Sequence, residues 1–139
     1  MRAVIQRVSE ASVTYRTSRE EKFCGSITKG ILIYLGIASD DSDDDAEYLA
    51  DKIAHLRIFM DSNDKMNLSI LDLGYEALVI SQFTLHADVR KGRRPSYSKA
   101  AGSEKALMLF DLFCTKLLEN GVHIQTGKFQ EIMRIHSIN

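Results

Sequence analysis

Five consecutive residues, Ser81-Gln82-Phe83-Thr84-Leu85, hold the densest set of groups capable of chemistry in the chain. They follow Ala77-Leu78-Val79-Ile80, a short β-branched run after the turn signal Gly74, which reads as a buried strand extending over 76–85. A buried strand seldom carries Ser, Gln and Thr within four positions, because each unpaired polar group costs free energy. The polar end should therefore leave the core and face a cleft. Arg90, Lys91, Arg93, Arg94 and Lys99 follow within ten residues, the most basic part of the chain. A polar strand end beside a basic loop suggests an anionic substrate.

Hydroxyls, an amide and backbone N–H groups without an adjacent acid–base pair catalyse best by orientation and by donating hydrogen bonds to a developing oxyanion. Such a site suits an already reactive substrate, such as an activated ester. Arg side chains of the loop can pair with phosphates, and Tyr97 or Phe129 can stack on a base. Other machineries fit less well. Gly121 to Lys128 resembles a phosphate loop, but five residues separate its glycines instead of four, and Phe129 stands where a magnesium-binding Ser or Thr belongs. No G-x-S-x-G elbow surrounds Ser81, and no Cys/His spacing suits zinc. A triad recruiting His86, His123 or His136 with Asp88 stays open, since triads assemble in space. Otherwise each histidine reads as a surface or strand-edge residue, with His55 inside a helix.

The elements that must position these residues follow from composition and pattern. A chain of 139 residues, 45% apolar and 27% charged, is expected to form one domain, 1–139, that needs neither metal nor disulfide to fold. The net charge of −1 argues against a general nucleic-acid binder but allows a local basic patch. Cys24 and Cys114 read as free thiols of a reducing cytosol. No run reaches the ~18 apolar residues of a membrane span and the start is no signal peptide, so a cytoplasmic location without membrane partners is expected.

Residues 2–8, 13–15 and 23–27 read as strands around a charged hairpin tip at Arg16 to Lys22, and Ile31 to Ile37 as a central strand covered on both faces. The acidic run Asp40 to Asp45 could be a cation site, but it reads better as the charged start of a helix. That helix carries Ala46, Leu49, Ala50, Ile53, Leu56 and Arg57 at helical spacing. Asp61 to Asn67 lacks the glycine and the long carboxylate of a calcium loop, and reads as a polar turn. A second helix opens at Gly102-Ser103-Glu104, buries Leu107, Phe110, Phe113, Cys114, Leu117 and Leu118, and ends at Asn120-Gly121. Two more strands lie at 122–125 and 132–138. The order predicts an α/β protein of three layers, α/β/β: a mixed sheet with two helices on one side, and N-terminal hairpins as a second β layer.

Met1 to Val8, Ser81-Gln82-Phe83-Thr84-Leu85, Lys91-Gly92 with Arg94-Pro95-Ser96-Tyr97, and Thr126-Gly127-Lys128-Phe129 with Met133 occur in an order and spacing that resembles the D-aminoacyl-tRNA deacylases. The match spans essentially the whole chain. The resemblance implies hydrolysis of the ester between a D-amino acid and the terminal ribose of tRNA, in chiral proofreading of translation, and activity on glycine mischarged to tRNA. It also implies a homodimer with active sites at the subunit interface and no cofactor or metal. Ser81, Gln82, Phe83 and Thr84 would line the pocket for the aminoacyl group and terminal adenosine. Thr84 is there a candidate nucleophile; alternatively the substrate's own 2′-hydroxyl assists. The lack of a base beside Thr84 favours the second route. Phe129 and Met133, near Gly127, would contact the adenosine, Arg7 would brace the pocket, and Lys91, Arg94 and Pro95 would meet the tRNA. One departure is visible. The family's Asn-x-Gly-Pro-Val-Thr signature, whose Gly-Pro enters the partner's site and rejects L-substrates, would begin at Asn139, and the sequence contains no Gly-Pro. An additional tail carrying it is expected. A rival of another class is a non-catalytic RNA-binding module using residues 90–99.

Overall fold

Alternation along two strands organises the fold, which a computed structural model describes for residues 1–139. Strands β1 (Arg2–Val8), β2 (Glu10–Arg16), β3 (Glu21–Ile27) and β4 (Gly30–Gly36) precede helix α1 (Asp43–Ala54). A small hairpin, β5 (Phe59–Met60) with β6 (Met66–Leu68), leads into the one-turn helix α2 (Ile70–Leu73) and then β7 (Glu76–Ser81). Helix α3 (Ser103–Glu119) and strands β8 (His123–Thr126) and β9 (Ile132–Ile138) complete the chain.

The main sheet has the order β1-β4-β7-β8, with β1 antiparallel to β4 and with β4, β7 and β8 parallel. The second is antiparallel, β3-β2-β9. Successive side chains of a strand point to opposite faces. Ile31, Ile33 and Leu35 of β4 and Ala77 and Val79 of β7 therefore pack with the helices, beside Ile53, Phe113 and Leu117. Their neighbours Leu32, Leu78 and Ile80 pack with Val13 and Ile27 of the second sheet. That is why both strands read as unbroken apolar runs, and why the fold has three layers. Fully burying each of the Val, Leu, Ile and Phe side chains among them contributes about 1.5–3 kcal/mol.

The acidic run divides into two jobs. Ser42 N–H donates to the Asp45 carboxylate at 2.8 Å, closing a capping box that starts α1 and holds the Asp45 pKa below the usual range. Asp41 instead accepts from the Met1 ammonium and from Ala38 N–H, the latter at 2.6 Å. In the turn at 61–67 the Asp61 carboxylate accepts from the N–H groups of Asn63 and Lys65 and from the Asn67 amide, so the turn is closed by its own side chain.

Several expectations are corrected. The strand predicted over 76–85 ends at Ser81: Gln82 N–H, donating to the Leu35 carbonyl at 2.7 Å, is the last rung to β4, and Phe83–His86 form a 3₁₀ turn. The second sheet is not made of the early hairpins alone: β1 joins the main sheet and β9 completes the second. Helix α1 ends at Ala54, leaving His55 as its cap and Leu56 and Arg57 beyond it. On α3 the stripe shifts by a fraction of a turn, burying Leu109 and exposing Leu107 and Leu118. Helix α2 went unpredicted; Ser69 caps it through Asp72, and Gly74 ends it at φ 61°, a left-handed conformation suited to glycine.

Candidate active site

Strand β7 delivers Ser81 to the carboxyl end of the parallel strands, opposite Leu35 of β4. Ligands of open α/β sheets bind at that end. The chain then turns sharply. Leu85 N–H donates to the Gln82 carbonyl at 3.3 Å, Ala87 N–H to Thr84 at 3.1 Å, and Arg2 reaches across to donate to the Leu85 carbonyl at 2.8 Å. Gly36 permits the close approach of this turn to β4, for a Cβ there would lie 2.9 Å from the Gln82 carbonyl oxygen. The 3₁₀ turn is thus fastened at both ends and from beneath.

Beside it lies a cavity of about 350 Å³. Ser81, Gln82 and Phe83 form one wall, and Phe129 and Met133 the facing one. Leu35, Ile37 and Ile80 lie on the sheet side, and Ala101 and Ala106 at the start of α3. Phe129 is held by Phe110 of α3, ring centroids 5.9 Å apart. Gly127 stands behind Met133: its N–H donates to the Val79 carbonyl at 3.1 Å, and a Cβ would strike the Met133 sulfur at 2.4 Å. The cavity is a mostly apolar slot with a few polar groups, Ser81 and Gln82 at the strand end and Gln130 and Glu131 beside Phe129, as small-molecule sites commonly are.

Thr84 does not itself line the cavity. Its hydroxyl accepts a hydrogen bond from the Gln82 side-chain amide, and no carboxylate or imidazole is bonded to it. His86, two residues on, departs from the surface reading given for the histidines: it is buried, and its Nε2 has no partner. His123 and His136 are exposed on other strands, and His136 faces Glu10 at 3.7 Å. Asp88 is engaged by Arg90, whose side chain holds the Asp88 pKa well below the usual carboxylate range. The open triad thus finds no connected members.

The basic loop is built differently. Asp88 and Ser96 exchange backbone hydrogen bonds of 2.8 and 2.9 Å, closing a neck. Beyond the neck, Lys91, Arg93, Arg94 and Pro95 are all exposed, and none lines the cavity. The link to the site is Tyr97, whose ring meets Phe83 edge-on at 5.1 Å. Arg7 is not brought to the pocket. It pairs with Ile31 at the other end of β4, about 13 Å along the strand from Leu35, and donates to the Ile58 carbonyl at 2.9 Å. It shares a shallow hollow with Asn139. Sequence reasoning missed Gln130, Glu131, Ile132 and Ile135 on the cavity wall. Their one visible signal was adjacency to Phe129 and Met133.

Fold and site together describe an α/β protein with an apolar slot at the carboxyl end of its parallel strands and hydrogen-bonding groups beside it. Residues 4–139 match the family described as D-Tyr-tRNA(Tyr) deacylase, and the chain belongs to that family. A D-aminoacyl-tRNA deacylase of Syntrophobacter fumaroxidans is 53% identical over 139 residues, covering 100% of this chain and 91% of the relative. Another, of Thermotoga petrophila, is 48% identical with the same coverage. Among solved structures, the c-Myc DNA Unwinding Element Binding Protein superposes with a TM-score of 0.88 at 36% identity, covering 100% of this chain and 92% of that one. A probable eukaryotic D-amino acid tRNA deacylase shares the fold, with a TM-score of 0.80 at 17% identity over 97% of this chain and 91% of its own.

Proposed function

We propose that this deacylase hydrolyses the ester of D-aminoacyl-tRNA by positioning it, with the substrate's 2′-hydroxyl assisting and no covalent acyl-enzyme. The observation that carries this reading is the state of Thr84: its hydroxyl is bound by the Gln82 amide and has no base to take its proton. A 3₁₀ turn leaves its leading N–H groups, those of Phe83 and Thr84, without partners inside the turn. Together with the Gln82 amide they are the donors for the ester carbonyl as negative charge develops on its oxygen. Ser81, Gln82 and Phe83 hold the acyl end, while Phe129 and Met133, backed by Gly127, hold the adenosine. Lys91, Arg94 and Pro95 meet the tRNA backbone, where exposed cations attract phosphate.

The functional unit is a cytoplasmic homodimer with a site at each side of its interface. Two features favour it. The cavity rim exposes Phe83 at 58% and Ile132 at 76%, apolar surface that a partner would cover. Arg7 lies at the far end of β4 from the cavity of its own chain, so any bracing by Arg7 would be of the partner's pocket. No helix is long and apolar enough to cross a membrane.

The test is release of free tyrosine from D- and L-tyrosyl-tRNA by the purified protein. Rapid release from the D-ester, with little from the L-ester, is expected; equal rates would overturn chiral proofreading. A plain RNA-binding module would show tRNA affinity and no turnover.

A further inference from the structure

Between the cavity and the basic loop stands one aromatic ring on a firmly held piece of backbone. Tyr97 lies just past the neck closed by Asp88 and Ser96, and its carbonyl accepts from Ala100 N–H at 3.0 Å. The segment is then tied to the chain just beyond β4. Ser39 N–H donates to the Lys99 carbonyl at 3.0 Å, and Ala101 N–H to the Ile37 carbonyl at 2.9 Å. Phe83 braces the Tyr97 ring at 5.1 Å and 74°, yet the ring stays 38% exposed. Phe83 belongs to the cavity wall and Tyr97 does not, so Tyr97 stands at the mouth, outside the slot. The other exposed rings are elsewhere: Phe23 on β3, and Tyr48 on α1 with Lys52 over it at 5.4 Å. A braced ring loses little side-chain freedom when a ligand stacks on it.

We infer that Tyr97 is a stacking platform for the base of the nucleotide that precedes the terminal adenosine; this rests on the reading of the cavity as an aminoacyl-adenosine site. In that reading the ester lies at Ser81 to Thr84 and the adenine at Phe129 and Met133, with the ribose joining them. The 5′-phosphate of that ribose carries the rest of the strand out of the slot. The cations of residues 90–99 draw it, and Tyr97 stands on that path. Every base has a π-face, so an aromatic ring holds one without reading its identity. That is enough here, because the penultimate nucleotide of tRNA is always cytidine. Charge alone lets a strand slide past exposed cations. One stacked base fixes its register, so that the ester meets the 3₁₀ turn and not the space beside it.

Three non-hydrolysable probes test this. The first is 3′-(D-phenylalanylamino)-3′-deoxyadenosine; the second adds a cytidine through a 5′-phosphodiester, and the third adds an abasic ribose in the same way. Dissociation constants are measured by calorimetry on wild type, Tyr97→Ala and Tyr97→Phe. Wild type is expected to bind the cytidine probe about tenfold tighter than the first probe, the scale of one stacked base, with the abasic probe close to the first. Tyr97→Ala should erase that gain and hold the first probe within about twofold of wild type, and Tyr97→Phe should keep the gain. A gain that is absent from wild type, survives Tyr97→Ala, or is matched by the abasic probe would overturn the inference. Equal loss on all three probes in Tyr97→Ala would make Tyr97 a mere support for Phe83, and overturn it too. Failure of the first probe to bind wild type would overturn the reading of the site itself, and this inference with it.

Discussion

The turn at Ser81 to His86 and the loop at Val89 to Pro95 are neighbours in sequence and opposites in construction. The turn is fixed from several sides: Gln82 N–H on Leu35, the Leu85 carbonyl on Arg2, and Gly36 pressed against it from β4. Beyond its neck the loop keeps Lys91, Arg93 and Arg94 in solvent. The contrast matches two physical tasks. Stabilising a transition state requires donors held to a fraction of an ångström. Attracting a polyanion requires only charge, which acts across about a Debye length and tolerates motion. On the proposed reading the molecule separates rate from affinity, with the Phe83–Tyr97 contact as the joint between them.

That separation can be broken from either side. The largest effect is expected at Gln82→Ala, which removes the amide engaging Thr84 and heading the cavity. The turnover number should fall about a hundredfold, the scale of losing one oxyanion donor, while the dissociation constant for uncharged tRNA stays within about twofold of wild type. A comparable loss of tRNA affinity would merge the two regions and favour a plain binding role. Arg94→Gln should do the reverse. Affinity for tRNA should weaken a few-fold, the slope of log K against log salt should shrink by about one, and single-turnover hydrolysis of bound substrate should be unchanged.

A smaller effect separates the scaffold from both. The carboxyl groups of Asp45, Asp61 and Asp72 are held below their usual range, chiefly by backbone N–H groups of Ser42, Asn63 and Ser69 respectively. A group with a lowered folded pKa stabilises the fold above its unfolded value and loses that contribution as pH falls through the folded one. Thermal unfolding should therefore be nearly constant from neutral pH to about pH 4 and shift downward below it. A midpoint that fell between pH 7 and pH 5 would point to groups other than these carboxylates.

Much of this was legible in the sequence, for identifiable reasons. The unbroken apolar runs at 31–37 and 77–80 predicted strands covered on both faces, and the two β-layer clusters have that arrangement. Ser42-Asp-Asp-Asp45 announced a helix start, and the capping box supplies the mechanism. Ser81 to Thr84 stood out because polar residues interrupt a buried run, and Ser81 to Phe83 do line the cavity. Other features were invisible because no local pattern encodes them. The 3₁₀ turn after Ser81 starts where β4 itself ends at Gly36, just past the last rung from Gln82 N–H to the Leu35 carbonyl. Gln130 gives no warning of a positive φ, which glycine or asparagine would have signalled. Arg7 lies far from the pocket of its own chain because β1 runs antiparallel to β4, a fact of topology alone. His86 was misread for a related reason: Thr84 and Asp88, two positions to either side, are polar, but the turn carries it under Gly36, where its ring meets the sheet.

The central claim is that the site positions a reactive ester and that Thr84 does not attack it. Single-turnover hydrolysis of D-tyrosyl-tRNA by Thr84→Val tests it most directly, since valine matches the shape and removes only the hydroxyl. A rate within about tenfold of wild type is expected, the loss reflecting a loosened Gln82 amide. A fall of about a thousandfold or more in a variant of unchanged unfolding temperature would make Thr84 the nucleophile and contradict the account.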